Sequence, residues 1–351
     1  MKNDTWKVSR RSFLAGTASL ISAPMVLAAS GEKSKPITMA NGGGSYQDAQ
    51  VKAVIEPFTK ETGIKVEFVP ILELDKVKAM QLTGNVDVDV FLNTVVNTTS
   101  GSKLGFWEKL DPALFDLKDL EVPPATDYVT FELAGNCVTW DPKKFGDGRH
   151  PKNCAEFFDL QKFPGRRALR GNVLVGTLEI ALLADGVAPK DIYPLDLDRA
   201  FKSLSRIKSH LVWSATTPQD ISLVQSGEVD FGFASNNRVL ATTRPGGGTP
   251  LAISFEQNII VADALAILKG APNKENAMKL LAYYMRPEVQ ARLFDLLGTI
   301  PVSKKASTML SPEIRKWQPD LNSPNHVMQN NTYWAENFES INRRFQEWRM
   351  S

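Results

Sequence analysis

Metal-binding and redox residues are scarce in this chain of 351 residues: two cysteines, Cys137 and Cys154, and three histidines, His150, His210 and His326. No HxH, HExxH or CxxC spacing occurs, so a histidine-rich metal centre has no basis, and two thiols cannot hold an iron–sulfur cluster alone. No cofactor is expected. Nucleotide signatures are absent too: Gly42-Gly43-Gly44 is followed by neither GK[ST] nor the GxGxxG pattern. Ser45 sits in GGSYQ, which lacks the second glycine of a nucleophile elbow. There is no internal repeat and no low-complexity tract. Excess charge of one sign is missing as well. The formal net charge is +2, of which residues 1–30 supply +3 (Lys2, Lys7, Arg10 and Arg11 against Asp4), leaving −1 for the rest. That near-neutral balance gives no electrostatic case for binding nucleic acid or an anionic membrane.

Long apolar runs are confined to one place. Ser9-Arg10-Arg11-Ser12-Phe13-Leu14 has the twin-arginine pattern and leads into an apolar stretch ending at Ala29. Gly16 and Pro24 interrupt the stretch, and it is short for a membrane span. Small residues at Ala28, Ala29 and Ser30 suit cleavage, so residues 1–30 are expected to be an export signal and the mature chain periplasmic. An uncleaved anchor is the alternative, which the length disfavours. An oxidising compartment permits a Cys137–Cys154 bridge, but their spacing does not compel one.

What the sequence does have is alternation of strand and helix. Ile37 to Ala40 is a short apolar strand, followed by Asn41 and the three glycines, which let the backbone turn sharply. Ser45 is the expected N-cap of a helix whose apolar face is Val51, Val54, Ile55 and Phe58. Gly63 closes it in a left-handed cap, and Ile64 to Val69 alternates as a strand. Such a unit leaves a helix N-terminus and free N–H groups at the carboxyl end of a strand. In open α/β sheets ligands bind there, and the site favours an anionic or carbonyl oxygen.

Further on, helices are expected at Leu74–Leu82, Lys103–Leu110, Thr177–Leu182, Leu197–Ile207, Gln219–Ser226, Asn276–Met285 and Pro287–Leu297. Strands are expected at Val86–Leu92, Phe131–Trp140, around Leu169, at Glu228–Ala234 and at Ile259–Ile267. Asp87 and Asp89 are taken as the solvated start of one of these strands. Asn93-Thr94 follows it, again at a strand's carboxyl end. Residues 334–348 form an amphipathic helix with Phe338, Ile341 and Phe345 on one face. The alternation implies an α/β fold with mainly parallel sheets flanked by helices.

Several segments together resemble one family. They are GGSYQDAQ…PFTKETGIKV, FPGRRALR…LEIALLADGV…YPLDLDRAF, SGEVD, LAILKGAPNKENAMKLLAYYMRPEVQARL and the aromatic tail. They resemble the extracellular solute-binding proteins of ABC importers, specifically the spermidine/putrescine-binding branch. The resemblance covers nearly all of the chain after residue 36. It implies a two-lobed periplasmic-binding-protein fold, type II, with residues 36–132 plus 262–308 as one lobe and 133–261 plus 309–351 as the other. It further implies a monomer that closes on a small solute and presents it to a membrane permease.

The ligand set implied by the resemblance and the strand ends together begins with Gly43, Gly44, Ser45, Tyr46, Asn93 and Thr94. Glu179, Trp213, Asn236, Arg238, Gln257, Asp263 and Thr299 complete it. Asp263 aligns with a family carboxylate that holds an ammonium group. A carboxylate inside an otherwise apolar strand also needs a partner. The aromatic cage departs from the family pattern, since Ser235, Val261 and Thr299 stand where rings are common. Trp213 and Tyr46 are the available substitutes, and each is equally a core residue by its pattern. Arg238 adds a bidentate donor suited to an oxyanion, or is a solvated surface arginine. The expected solute is therefore a small polar amine-type molecule, a polyamine or an amino-carboxylate, rather than spermidine itself. Two other readings stay open: a sensor subunit serving a signalling receptor, and an enzyme on the same scaffold, which would need an acid/base pair that no motif here supplies.

Overall fold

The computed structural model describes residues 35–351, so the export segment expected at 1–30 lies outside the described residues. Strand β1 (Ile37–Asn41) enters helix α1 (Gly44–Gln50), which continues through one π turn, Val51–Ile55, into α2 (Glu56–Thr62). Then follow β2 (Val66–Pro70), α3 (Leu74–Thr83), β3 (Val90–Thr94), α4 (Val95–Lys103) and the long β4 (Tyr128–Trp140). The middle of the chain holds α5 (Cys154–Phe158), β5 (Arg167–Arg170), α6 (Thr177–Ala184), α7 (Leu197–Ser205) and β6 (Leu211–Ser214). Next come α8 (Thr217–Gln225), β7 (Phe231–Ser235), α9 (Asn236–Thr242) and β8 (Ala252–Ile267). The chain closes with α10 (Lys274–Tyr284), α11 (Pro287–Leu297), β9 (Ile300–Pro301), α12 (Lys304–Met309), α13 (Pro312–Arg315), β10 (Val327–Met328) and α14 (Asn331–Met350).

All ten strands of the described residues belong to one sheet, whose main path runs β2-β1-β3-β8-β4-β7-β5-β6. Its two ends are parallel: β1 lies parallel to β2 and β3, and β5 lies parallel to β6 and β7. Between them, β8 and β4 are antiparallel to each other and to their outer neighbours. β8 pairs with β3 through Asp263–Ile267, β4 pairs with β7 through Asn136–Trp140, and the two pair with each other along most of their lengths. β4 and β8 are therefore the two segments that carry the chain from one half to the other. Their register is interrupted between Thr130 and Glu132 and again between Asn136 and Val138. Each half has its own apolar core. One gathers Ile37, Phe58, Val90, Phe131, Tyr284 and Phe294; the other gathers Phe157, Leu178, Leu204, Phe231, Trp334 and Phe345. This is a two-lobed α/β fold.

Several local expectations change. Ser45 lies inside α1, and the N-cap is Gly43 at φ 70°, a value that favours glycine. Gly63 ends α2 at φ 73° in the left-handed cap foreseen for it. β3 starts only at Val90, and Asp89 is buried rather than solvated, accepting from the N–H groups of Thr38 (2.9 Å) and Asn273 (2.7 Å). No helix forms over Lys103–Leu110. The chain turns at Gly105, and Trp107 bridges to Leu268. The helix lies just before, over VVNTTSGSK, whose β-branched and small residues have weak helix propensity. Tertiary packing overrides that weakness. Thr94 caps α4 by accepting from Asn97 N–H, and Trp107 closes over Gly101 while donating its indole N–H to Thr98 O at 2.8 Å. Cys137 and Cys154 are buried and free; the Cys137 thiol donates to Asn258 Oδ1 at 2.7 Å. Among the described residues no helix is long and apolar enough to cross a membrane.

Gly101 leaves room for the Trp107 ring, because a Cβ at that position would fall within the ring's van der Waals surface. Gly101→Ala is expected to lower stability by about 1–3 kcal/mol. Urea unfolding checks this, as a shifted midpoint with unchanged slope.

Candidate functional site

A cleft of about 480 Å³ opens where the carboxyl ends of β1, β3, β5, β6 and β7 face the middle of β4 and β8. The strand ends supply Gly42, Asn93 and Thr94 from one side and Arg170, Thr216 and Ser235 from the other. The floor supplies Glu132, Asn136, Val261 and Asp263. Three helices of eight or nine residues, α4, α6 and α8, begin at the cleft with Thr94, Thr177 and Thr217 among its lining residues. Their unpaired N–H groups give that wall a positive bias.

The negative pole is built from two carboxyls. Glu132 on β4 and Asp263 on β8 are register partners in the antiparallel ladder, so both side chains point to the same face. Glu132 is 2% exposed, and Asp263 is half-buried against the cleft. Burial, and then the neighbouring Asp263 charge, push the Glu132 carboxyl well above the usual carboxylate range. Burial raises Asp263 too, opposed by its hydrogen bond to Glu132 and by Arg238. Two groups brace Glu132: the Tyr46 hydroxyl donates to Oε1 at 2.7 Å, and the Thr299 hydroxyl donates to Oε2 at 3.3 Å. Burial and the two carboxyls hold the Tyr46 phenol well above its ordinary value, so it stays a donor.

The positive pole is Arg238 at the start of α9. Its Nη1 donates to Ser45 Oγ at 3.4 Å, and its guanidinium lies 5.7 Å from the Tyr46 ring centroid. Burial lowers its pKa, while Tyr46, Glu132 and Asp263 oppose that shift. Arg170 stands on the same wall but is already paired with Asp220, and it also donates to Thr217 Oγ1 at 2.8 Å. Burial raises Asp220, against the pull of Arg170. The cleft is thus bipolar, with carboxyls on its floor and a guanidinium and helix N-termini on its walls.

Of the residues singled out from the sequence, the structure brings Tyr46, Asn93, Thr94, Arg238 and Asp263 together in this cleft. Gly43 and Gly44 shape the turn beside it, and the Gly43 N–H is directed at Asn41 Oδ1, 3.2 Å away. Ser45 lies at the rim as the acceptor of Arg238. Thr299 sits behind the floor and reaches the cleft only through Glu132. The remaining four lie elsewhere. Glu179 is fully buried and accepts from Trp334 Nε1 (2.7 Å) and the Tyr193 hydroxyl, so it anchors the tail helix. Trp213 packs edge-on against Phe345 and Trp348. Asn236 is buried and donates to Gly298 O (2.8 Å) and Trp317 O (2.7 Å), tying α9 to the segment after α11. Gln257 accepts from the Cys154 N–H at 3.0 Å. Glu132, Arg170, Asp220 and Asn136 line the cleft without having been singled out. Among the described residues no group of three or more His, Cys, Asp or Glu is arranged to hold a metal ion.

Two α/β lobes joined by a pair of crossing strands, with a polar cleft at the strand ends, define a two-lobed solute-binding protein. The chain belongs to the bacterial extracellular solute-binding protein family, which it matches over residues 53–320. It is 30% identical over 333 residues to the gamma-aminobutyric acid-binding protein of Pseudomonas aeruginosa, covering 92% of this chain and 93% of that one. It is 25% identical over 278 residues to the spermidine/putrescine-binding periplasmic protein of Escherichia coli, covering 74% and 77%. A solved GABA receptor superimposes with a TM-score of 0.82 at 33% identity, covering 90% of this chain and 98% of that one. These relatives are binding proteins.

Asp220→Asn leaves the Arg170 guanidinium without its buried counter-charge. A loss of about 3–5 kcal/mol is expected, read as a lower unfolding midpoint.

Proposed function

We propose that this protein is the periplasmic solute-binding component of an ABC importer and that its solute is a small amino-carboxylate. One observation carries the choice of solute: the cleft places two carboxyls opposite an arginine and helix N-termini. An ammonium group fits against Glu132 and Asp263, and a carboxylate fits against Arg238. The names of the γ-aminobutyrate-binding relatives point the same way. A polyamine has no carboxylate to offer Arg238. Among the described residues Tyr46 and Phe233 are the only aromatic residues lining the cleft, with Ser235 and Val261 beside them, so a long methylene chain finds little ring surface.

Capture works by closure. The lobes are residues 36–132 plus 262–308 and 133–261 plus 309–351, with the hinge at the middle of β4 and β8. A solute that touches both lobes favours the closed form by its differential affinity for that state. The permease then meets the closed form. Export follows the twin-arginine route, the protein acts as a monomer, and it carries neither cofactor nor catalytic activity.

Mass spectrometry of solute co-purified with the protein, followed by isothermal titration, tests this reading. Saturable binding of γ-aminobutyrate or a similar amino-carboxylate is expected. Tight spermidine binding with no response to amino-carboxylates would refute it. Arg238→Ala should weaken amino-carboxylate binding by about 2–5 kcal/mol and leave diamines far less affected.

A further inference from the structure

The two carboxyls on the cleft floor are closer in character to one group than to two. They are register partners on adjacent strands, they project from the same face into the cleft, and Glu132 is almost wholly buried, so two full negative charges side by side there are costly and a proton on one of them removes that cost. We infer that the Glu132–Asp263 pair holds a single proton in the ligand-free protein and surrenders it to solvent when the solute's ammonium takes its place, so that each capture releases about one proton. This rests on the amino-carboxylate reading of the cleft.

The surroundings decide where that proton sits. From α1, the Tyr46 phenol donates to Glu132 and adds no charge. From α10, the Tyr284 phenol is buried, donates to Gln50 Oε1 at 2.9 Å and is neutral as well. From the segment after α11, Thr299 donates a neutral hydroxyl. From α9, Arg238 is the one cation among the described residues directed at the pair. The second arginine of the cleft, Arg170 on β5, is held by Asp220 of α8 and so cannot offset the floor. Two carboxylates, Glu132 buried and Asp263 half-buried, facing one guanidinium leave a negative charge uncompensated in a largely desolvated site. Protonation of one of them removes it.

An ammonium group and the shared proton compete for the same oxygen lone pairs. The ammonium has three N–H donors and can bridge both carboxylates at once. Its arrival stabilises the doubly ionised pair, and the solute's own carboxylate is taken up by Arg238 and the helix N-termini. The exchange balances: the O–H bond of the pair breaks, H⁺ passes to buffer, and the pair's charge becomes more negative by one while the ammonium lies against it. Affinity should then rise about tenfold per pH unit on the acid side of the pair's upper ionisation and level off above it.

Two measurements test this independently. The first needs no ligand. Infrared spectroscopy of the free protein at neutral pH should show the carbonyl stretch of a protonated carboxyl, lost in both Glu132→Gln and Asp263→Asn. If that band is absent, or survives both substitutions, the shared proton is refuted. The second is calorimetric titration of γ-aminobutyrate at one pH in buffers of different ionisation enthalpy. A slope of about one proton released per solute bound supports the exchange. Saturable binding with a slope near zero overturns it. If γ-aminobutyrate fails to bind while the infrared band behaves as expected, the solute assignment falls and the shared proton stands. Should Glu132→Gln not fold, the pH titration of the band in the wild-type protein serves the same purpose.

Discussion

Two carboxyls held side by side at the crossing of β4 and β8 are the constraint around which the cleft is arranged. Antiparallel register alone places Glu132 opposite Asp263, and burial makes their joint ionisation costly. Each neighbour answers that cost. Tyr46 reaches up from α1, Thr299 comes from behind, and Arg238 approaches from α9. These neighbours belong to segments far apart in the chain, so the pair also gathers the walls of the cleft around itself. Since β4 and β8 are shared by the two halves of the sheet, the carboxyls of the floor belong to both halves at once.

The opposite pole follows from sheet topology. Strands at both ends of the sheet run parallel, so their carboxyl ends face the middle from either side. Helices that follow such strands begin at the cleft and point their N–H groups into it. The short strand-to-helix turns at Thr94, Thr216 and Ser235 make this direct, since at most two residues separate the strand's end from the helix's start. Polarity of the site is therefore set by the backbone before any side chain is chosen. Arg238 sharpens it, and the Arg170–Asp220 pair fixes the wall behind it.

Much of this architecture was legible in the sequence because periodicity and glycine placement report local structure directly. β1, α2 with its Gly63 cap, α7, α10, α11 and the tail helix all follow that logic. What failed had tertiary causes. α4 has poor helix formers and is held by its Thr94 cap and by Trp107 over Gly101, contacts that no local pattern announces. Asp89 looked solvated because its partners, Thr38 and Asn273, lie far away in the chain. In the site, a lone carboxylate in an apolar strand identified Asp263. The same argument applied to Glu132 in Phe131–Trp140 would have found its partner, so that signal was present. Glu179, Trp213, Asn236 and Gln257 have the right chemistry in the wrong place: each is consumed by a packing or hydrogen-bonding role inside the fold. Polar identity alone does not separate a solute contact from an internal anchor.

Helix α14 straps the back of the molecule and is fastened on two sides. On one side it packs against α4 and makes an exposed ion pair, Lys103 to Glu336 at 2.8 Å, of a kind worth about 0–1 kcal/mol. On the other, Trp334 is sunk in the core with its indole held by Glu179, and Ile341 and Phe345 are buried around it. Val96 of α4 lies in the same apolar core as Trp334, Ile341 and Phe345, so the tail helix is a clasp that ties α4 to the half containing α6 and α7.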